Sequence, residues 1–193
     1  MYIIPTEDLD TDKRARFRKE VIENLVYFAM HELNLPKEVL SLRDLLAEDL
    51  GLLDWTTPKD KQWINTPISN RTYIGIYKLL QLNAYPSITV VEFWVDRSRI
   101  AKVGIESCYS GLPILERMKE ALLDPVAREV MNRLTDTESK ICLIGSKMEG
   151  YFSEPIIIKA NAHFEVNIYH REEKSDYLIL GGFVVEPKGM TVV

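Results

Sequence analysis

Several residues in this 193-residue chain have the types and spacing to do chemistry. His163 and Glu165 stand two apart in "NAHFEVNIYH". On a strand they share one face, an imidazole and a carboxylate able to exchange a proton or fill two corners of a metal site. Arg97 and Arg99 flank a polar turn and could grip a phosphate or a carboxylate. Asp176, Glu186 and Lys188 lie near the end of the sequence. If neighbours, the two acids would share a divalent cation while the lysine stabilised charge, as metal-assisted phosphodiester hydrolysis requires. Trp55 and Trp63 offer rings for stacking on a ligand, although pinning their segment to the core is the expected role.

Whether Asp176 and Glu186 meet depends on Gly181-Gly182. As a two-residue hairpin turn, these glycines put Leu180 opposite Phe183, Leu178 opposite Val185, and Asp176 beside Pro187. In that register the stretch resembles the PD-(D/E)xK nuclease superfamily, through Asp176, Glu186 and Lys188 alone. The resemblance implies a metal-dependent nuclease with those three residues at its site. As a bulge inside one long strand, the same glycines leave ten residues at about 3.3 Å each, or roughly 33 Å, between the carboxylates. The long strand is the expected form. The run from Ile156 to His170 is itself long, and after the "REEKS" turn it asks for an equally long partner. Pro187 also occupies a place that the superfamily fills with an apolar residue on a continuing strand. Only five residues follow Lys188, where that fold places a helix and a further strand.

The elements that must position these residues begin with helix. Asp10, Thr11 and Asp12 are candidate caps, and Phe17, Val21, Leu25, Phe28 and Ala29 make one stripe at three- and four-residue spacing. Pro36 is expected to open a second helix with Val39, Leu42, Leu45 and Leu46 inward and Gly51 past its end. Residues 54–69 read as a long loop, and "NRTYIGIYKLLQLN" as a third helix capped by Asn70. Then come two strands around the turn Asp96–Ser98, the first apolar on both faces and so central in its sheet. Two helices are expected in 111–136, broken at Asp124-Pro125, and strands at "KICLIGS", "PIIIKANAHFEVNIYH" and "DYLILGGFVVE". In "NAHFEVNIYH", Ala162, Phe164, Val166 and Ile168 point one way, opposite His163, Glu165, Asn167 and Tyr169.

The expected fold is α+β: a helical N-terminal portion packed on a mainly antiparallel, curved sheet with a long C-terminal hairpin and inserted helices. The corresponding division is a helical subdomain over 1–53, the loop 54–69 and a sheet domain over 70–193, or one continuous domain.

Composition narrows the function. Hydrophobic residues at 46% and charged residues at 27% are ordinary for a folded chain. A chain of this size can bury roughly 70% of the surface its unfolded form exposes, so it needs no metal or disulfide staple. Cys108 and Cys142 form no C-x-x-C pair and fit a reducing compartment. A net charge of -5 argues against broad nucleic-acid or membrane binding. The basic run Lys13, Arg16 and Arg18 is followed by Glu20 and Glu23, as on a solvated helix face, with a patch contacting RNA or DNA as the less favoured alternative. There is no Gly-rich phosphate loop, G-x-S-x-G or H-E-x-x-H, so no cofactor or metal is expected. These features favour a cytoplasmic binding or accessory protein with a protein partner. The alternatives are the nuclease and a small-molecule pocket between sheet and helices.

Overall fold

The computed structural model describes residues 1–59, 62–81, 87–108 and 148–189. The helices expected across 111–136, the strand at 140–146 and Cys142 lie outside these residues. Among the described residues one α-helix and ten strands form. They are β1 Ile3–Pro5, α1 Thr11–Leu33, β2 Leu40–Asp44, β3 Thr56–Thr57, β4 Gln62–Pro67 and β5 Tyr73–Gln81; then β6 Ile88–Val95, β7 Ser98–Gly104, β8 Met148–Ile158, β9 His163–His170 and β10 Asp176–Pro187. One sheet runs β1-β8-β5-β10-β2, with β3 joining at β10; the other runs β4-β9-β6-β7. Their strand pairs are antiparallel.

The result is three layers. Helix α1 carries the expected stripe: the Asp10 carboxylate accepts from the Lys13 amide at 2.7 Å, and Asn34 closes the helix at φ 53°. Val21, Leu25 and Ala29 are fully buried. They pack with Tyr73, Tyr77, Tyr151 and Phe183 on one face of the larger sheet. Burying side chains the size of Val or Leu stabilises by about 1.5–3 kcal/mol each. Gly75 lets the helix come this close, because a Cβ there would stand 2.8 Å from Val21 Cγ1 and 2.9 Å from Leu25 Cδ1. On the other face, Ile74, Ile76, Leu79, Phe152, Leu180 and Val184 meet Phe93, Val103, Phe164, Val166 and Ile168 of the smaller sheet. Phe93 and Phe152 touch edge to face across this core, centroids 5.3 Å apart.

Three expected elements take another form. The second helix is replaced by a 3-10 turn, strand β2 and a second 3-10 turn. Val39, Leu42 and Leu46, expected inward, are exposed, while Leu45 is buried. Pairing of Leu40–Asp44 with Pro187–Phe183 outweighs the helical spacing. The third helix is strand β5, central between β8 and β10. A strand buried on both faces reads as an unbroken apolar run, and "YIGIYKLL" is rich in the residues strands favour. Within the expected loop, Gln62–Pro67 is β4, paired with β9.

The expected long C-terminal hairpin does not form either. The chain turns at residues 159–162, with Asn161 at φ 63°, and so passes from β8 in one sheet to β9 in the other. Strand β10 then returns to the larger sheet and pairs with β5 and β2 rather than β9. It is twelve residues long, with its register shift at Gly181/Gly182. The glycines are a bulge within one strand.

Candidate functional site

The outer face of the smaller sheet gathers four of the six candidate ligand-binding residues. Alternation along β9 buries Phe164, Val166 and Ile168 and turns His163, Glu165, Asn167 and Tyr169 outward. The neighbouring registers bring Trp94 between Glu165 and Arg99, and Glu92 between Asn167 and Lys102. The β6–β7 hairpin closes on Asp96 and Arg97, at φ 48° and 67°, with Val95 paired to Ser98. Positive φ at both positions is the two-residue turn whose twist suits a hairpin, here built without glycine. Asp96 ties the turn to β9: its amide donates to the His163 carbonyl at 2.9 Å, and Oδ1 accepts from the His163 amide at 2.8 Å. A depression of about 420 Å³ opens between Asp96, Arg97 and His163.

Glu92 is the centre of the face. Oε1 accepts from Arg99 Nη1 and Lys102 Nζ, each at 3.2 Å, and Oε2 accepts from the Tyr169 hydroxyl at 3.3 Å. Burial alone would push this carboxyl up. The hydrogen bond from Lys102, with Tyr169 and Arg99, outweighs that cost and holds it below the ordinary range. The Arg99 guanidinium also lies 5.9 Å from the Trp94 ring centroid, and the Lys102 ammonium 5.9 Å from that of Tyr169. Among the described residues the buried Trp94 indole N–H finds no acceptor. The Glu92 side chain is 6% exposed, whereas Arg99 and Lys102 are 50% and 55% exposed. Solvent therefore meets the cations and not the acid beneath them. Glu165 accepts from Asn167 Nδ2 at 2.7 Å.

The other candidates lie elsewhere. Trp55 and Trp63 meet each other, centroids 6.0 Å apart, with Trp63 in the core between the sheets and Trp55 packed against it. Asp176 and Glu186 stand at opposite ends of β10, so the strand separates the acids instead of pairing them. Asp176 is fully buried. Its carboxylate accepts from Gln81 Nε2, the Ser87 amide and the Tyr177 amide, each at 2.8 Å, and from Ser87 Oγ at 3.2 Å. This knot ties the start of β6, in the smaller sheet, to β5 and β10 in the larger. Ser87 Oγ is also 3.1 Å from His170 Nδ1. The hydroxyl thus lies between carboxylate and imidazole, unlike a nucleophile triad, where the imidazole is in the middle. Glu186 bonds Arg43 Nε at 3.2 Å, and Arg43 also forms a fork with Asp49 at 2.7 and 2.6 Å. Lys188 Nζ donates to the Glu38 carbonyl at 2.6 Å.

Sequence reasoning missed Glu92, Trp94, Lys102 and Tyr169 as a cluster. The available signal was the hairpin itself: counting outward from the Asp96-Arg97 turn places Glu92 near Lys102 once the bulge opposite Phe93 is allowed for. Among the described residues no three His, Cys, Asp or Glu side chains gather as a metal site, and no helix is long and apolar enough to cross a membrane. No protein family matches this chain, and neither curated proteins nor solved structures give a match.

Proposed function

We propose that this protein works by binding, as a non-catalytic cytoplasmic accessory or regulatory partner of another protein, through the outer face of its four-stranded sheet. The observation that carries the reading is the layered cluster on that face: exposed Arg99 and Lys102 over buried Glu92, between Trp94 and Tyr169. Interfaces draw their energy from such aromatic and arginine anchors, and the internal carboxylate fixes these cations in place before a partner arrives. Arg97 and His163 extend the same surface at the hairpin tip. The Asp176 knot and the Arg43 cluster hold the sheets and edges in register around it.

The test compares the immobilised protein with a Tyr169→Ala, Arg97→Glu variant in capture from the cells that make it. A protein retained by the wild type and lost by a folded variant supports the reading. Equal retention by both moves the interface elsewhere. Turnover of a substrate that a single polar substitution abolishes would replace binding with catalysis.

A second reading rests on the depression of about 420 Å³ at Asp96, Arg97 and His163, whose volume suits a small molecule, with the exposed Arg97 guanidinium to hold an anionic group on it. Thermal-shift screening with carboxylates and phosphates addresses it, and a flat response counts against it.

A further inference from the structure

We propose that the partner presents an extended acidic segment, which adds as a further strand to the edge of β7 and lays its carboxylates against Arg97, Arg99 and Lys102. This rests on the reading of the outer face as a protein-binding surface.

The backbone argument comes from the ladder. Among the described residues β7 pairs with β6 alone. In an antiparallel sheet, successive residues direct their amides and carbonyls to opposite neighbours. Asp96, which follows β6 directly, donates its amide to His163 of β9, so from Val90 to Val95, beyond the irregularity at Ile88/Val90, the even-numbered residues bond toward β9 and the odd-numbered ones toward β7. Arg99 and Lys102 stand opposite Trp94 and Glu92, both even. Their own backbone groups therefore turn away from β6, toward the edge. The same two residues carry their side chains on the outer face. A strand added there would place alternate side chains directly beside the two cations, where opposite charges attract.

The charge argument selects the occupant. The face is formally balanced, with Asp96, Glu92 and Glu165 against Arg97, Arg99 and Lys102. The acids are engaged from within: Glu92 by three side chains, Asp96 by the His163 amide, and Glu165 by Asn167. Arg97 is exposed, without an ion-pair partner among the described residues, and Arg99 and Lys102 share a single carboxylate. Cations and a bulge on an edge discourage a second copy of the same edge from pairing there. An acidic strand meets no such repulsion. Nucleic acid fits less well. The Trp94 and Tyr169 rings already have cations over them, acids interleave with the basic groups, and the chain as a whole is at -5.

The experiment uses fluorescence anisotropy with a seven-residue peptide, matching β7 in length, that alternates Glu with Val and Thr. Comparison probes are its Lys-for-Glu counterpart, the acidic peptide N-methylated at alternate residues, and a single-stranded DNA oligonucleotide. The acidic peptide is expected to bind, and to bind more weakly as salt rises. Arg97→Glu, which removes no side-chain hydrogen bond or ion pair among the described residues, should weaken it about tenfold at an unchanged melting temperature. Lys102→Gln should weaken it too, but it also removes a partner of Glu92, so Arg97→Glu is the deciding variant. The Lys peptide and the N-methylated peptide should fail, the first on charge and the second because it cannot complete the ladder. No binding of the acidic peptide, equal binding of either control peptide, or indifference to Arg97→Glu overturns the inference. Tighter binding of the oligonucleotide overturns it in favour of nucleic acid. If the peptide fails while the face variant still loses its captured partner, the acidic strand falls and the binding face stands.

Discussion

Replacing Asp176 by alanine separates a structural acid from a catalytic one. In the folded protein this carboxylate is fully buried and accepts from the Ser87 and Tyr177 amides, from the more distant Ile88 amide at 3.5 Å, from the Gln81 side-chain amide and from the Ser87 hydroxyl. Removing it leaves the Ser87 and Tyr177 amides and the Gln81 side chain without that acceptor. The Ser87 hydroxyl has an alternative in the Lys174 carbonyl, 3.2 Å away. A buried donor left unmade costs about 1–3 kcal/mol. Relief by local movement brings three such losses to about 4 kcal/mol, a large part of the ~5–15 kcal/mol that a domain has. At about 2–4 °C per kcal/mol for a chain of this length, the melting temperature should fall by roughly 8–16 °C. Asp176→Asn should fall between wild type and alanine, because its carbonyl keeps an acceptor while its amide turns a donor toward donors. Urea unfolding followed by tryptophan fluorescence gives the free energies, and differential scanning calorimetry the temperatures. A metal-ligand carboxylate behaves oppositely, since removing one from a cluster of acids relieves repulsion and spares or raises stability. A loss below about 1 kcal/mol for Asp176→Ala would refute the structural assignment.

Gly182→Ala should destabilise by more than about 3 kcal/mol, since its Cβ would overlap the Gly75 carbonyl oxygen on the paired strand, whereas Gly181→Ala overlaps the Lys78 side chain from Cγ outward and should cost less, because Lys78 can turn aside by giving up its ion pair with Glu149; urea midpoints compare the two. Glu92 has its carboxyl held below the ordinary range, so its contribution to stability is present above about pH 4.3 and lost as pH falls through the lower folded value. The stability difference between wild type and Lys102→Met should therefore grow as pH rises from about 3 to 6 and then level off, and a difference that shrinks over that range would contradict the ion-pair account. Arg97→Gly should stabilise by about 0.5–1 kcal/mol, since glycine adopts φ near 67° without strain, while partner binding weakens; thermal melts and capture measured on the same variant show whether strain is held at the turn for binding.

The periodic elements that could be read from sequence were those where one face met water. Helix α1 showed its stripe because its other side is solvated, and β9 showed clean alternation for the same reason. The β6–β7 hairpin was legible from its polar turn, and β10 from its length and the placing of its glycines. Strand β5 was not, because burial on both faces erased the period of two, and its Leu and Lys residues fit a helix as well. Strand β2 was hidden by leucines spaced for a helix, and only its partner β10 shows why they form an edge. The site was half legible. His163, Glu165, Arg97 and Arg99 could each be picked out by type, but their convergence depends on the switch between sheets at residues 159–162. Glu92 was obscured because a lone acid in "TVVEFWV" looks like an interruption of an apolar strand. Its partners Lys102 and Tyr169 come from two other strands.

The most direct measurement is site-specific photocrosslinking in the producing cells, with a benzophenone side chain in place of Tyr169 on the sheet face and, separately, of Tyr27 on α1. Both positions are exposed, so both can report a contact. A binding face on the smaller sheet predicts a discrete protein adduct from position 169 and none of comparable yield from position 27. An adduct from position 27 alone, or none at 169 when a partner is captured by the same protein, would contradict it.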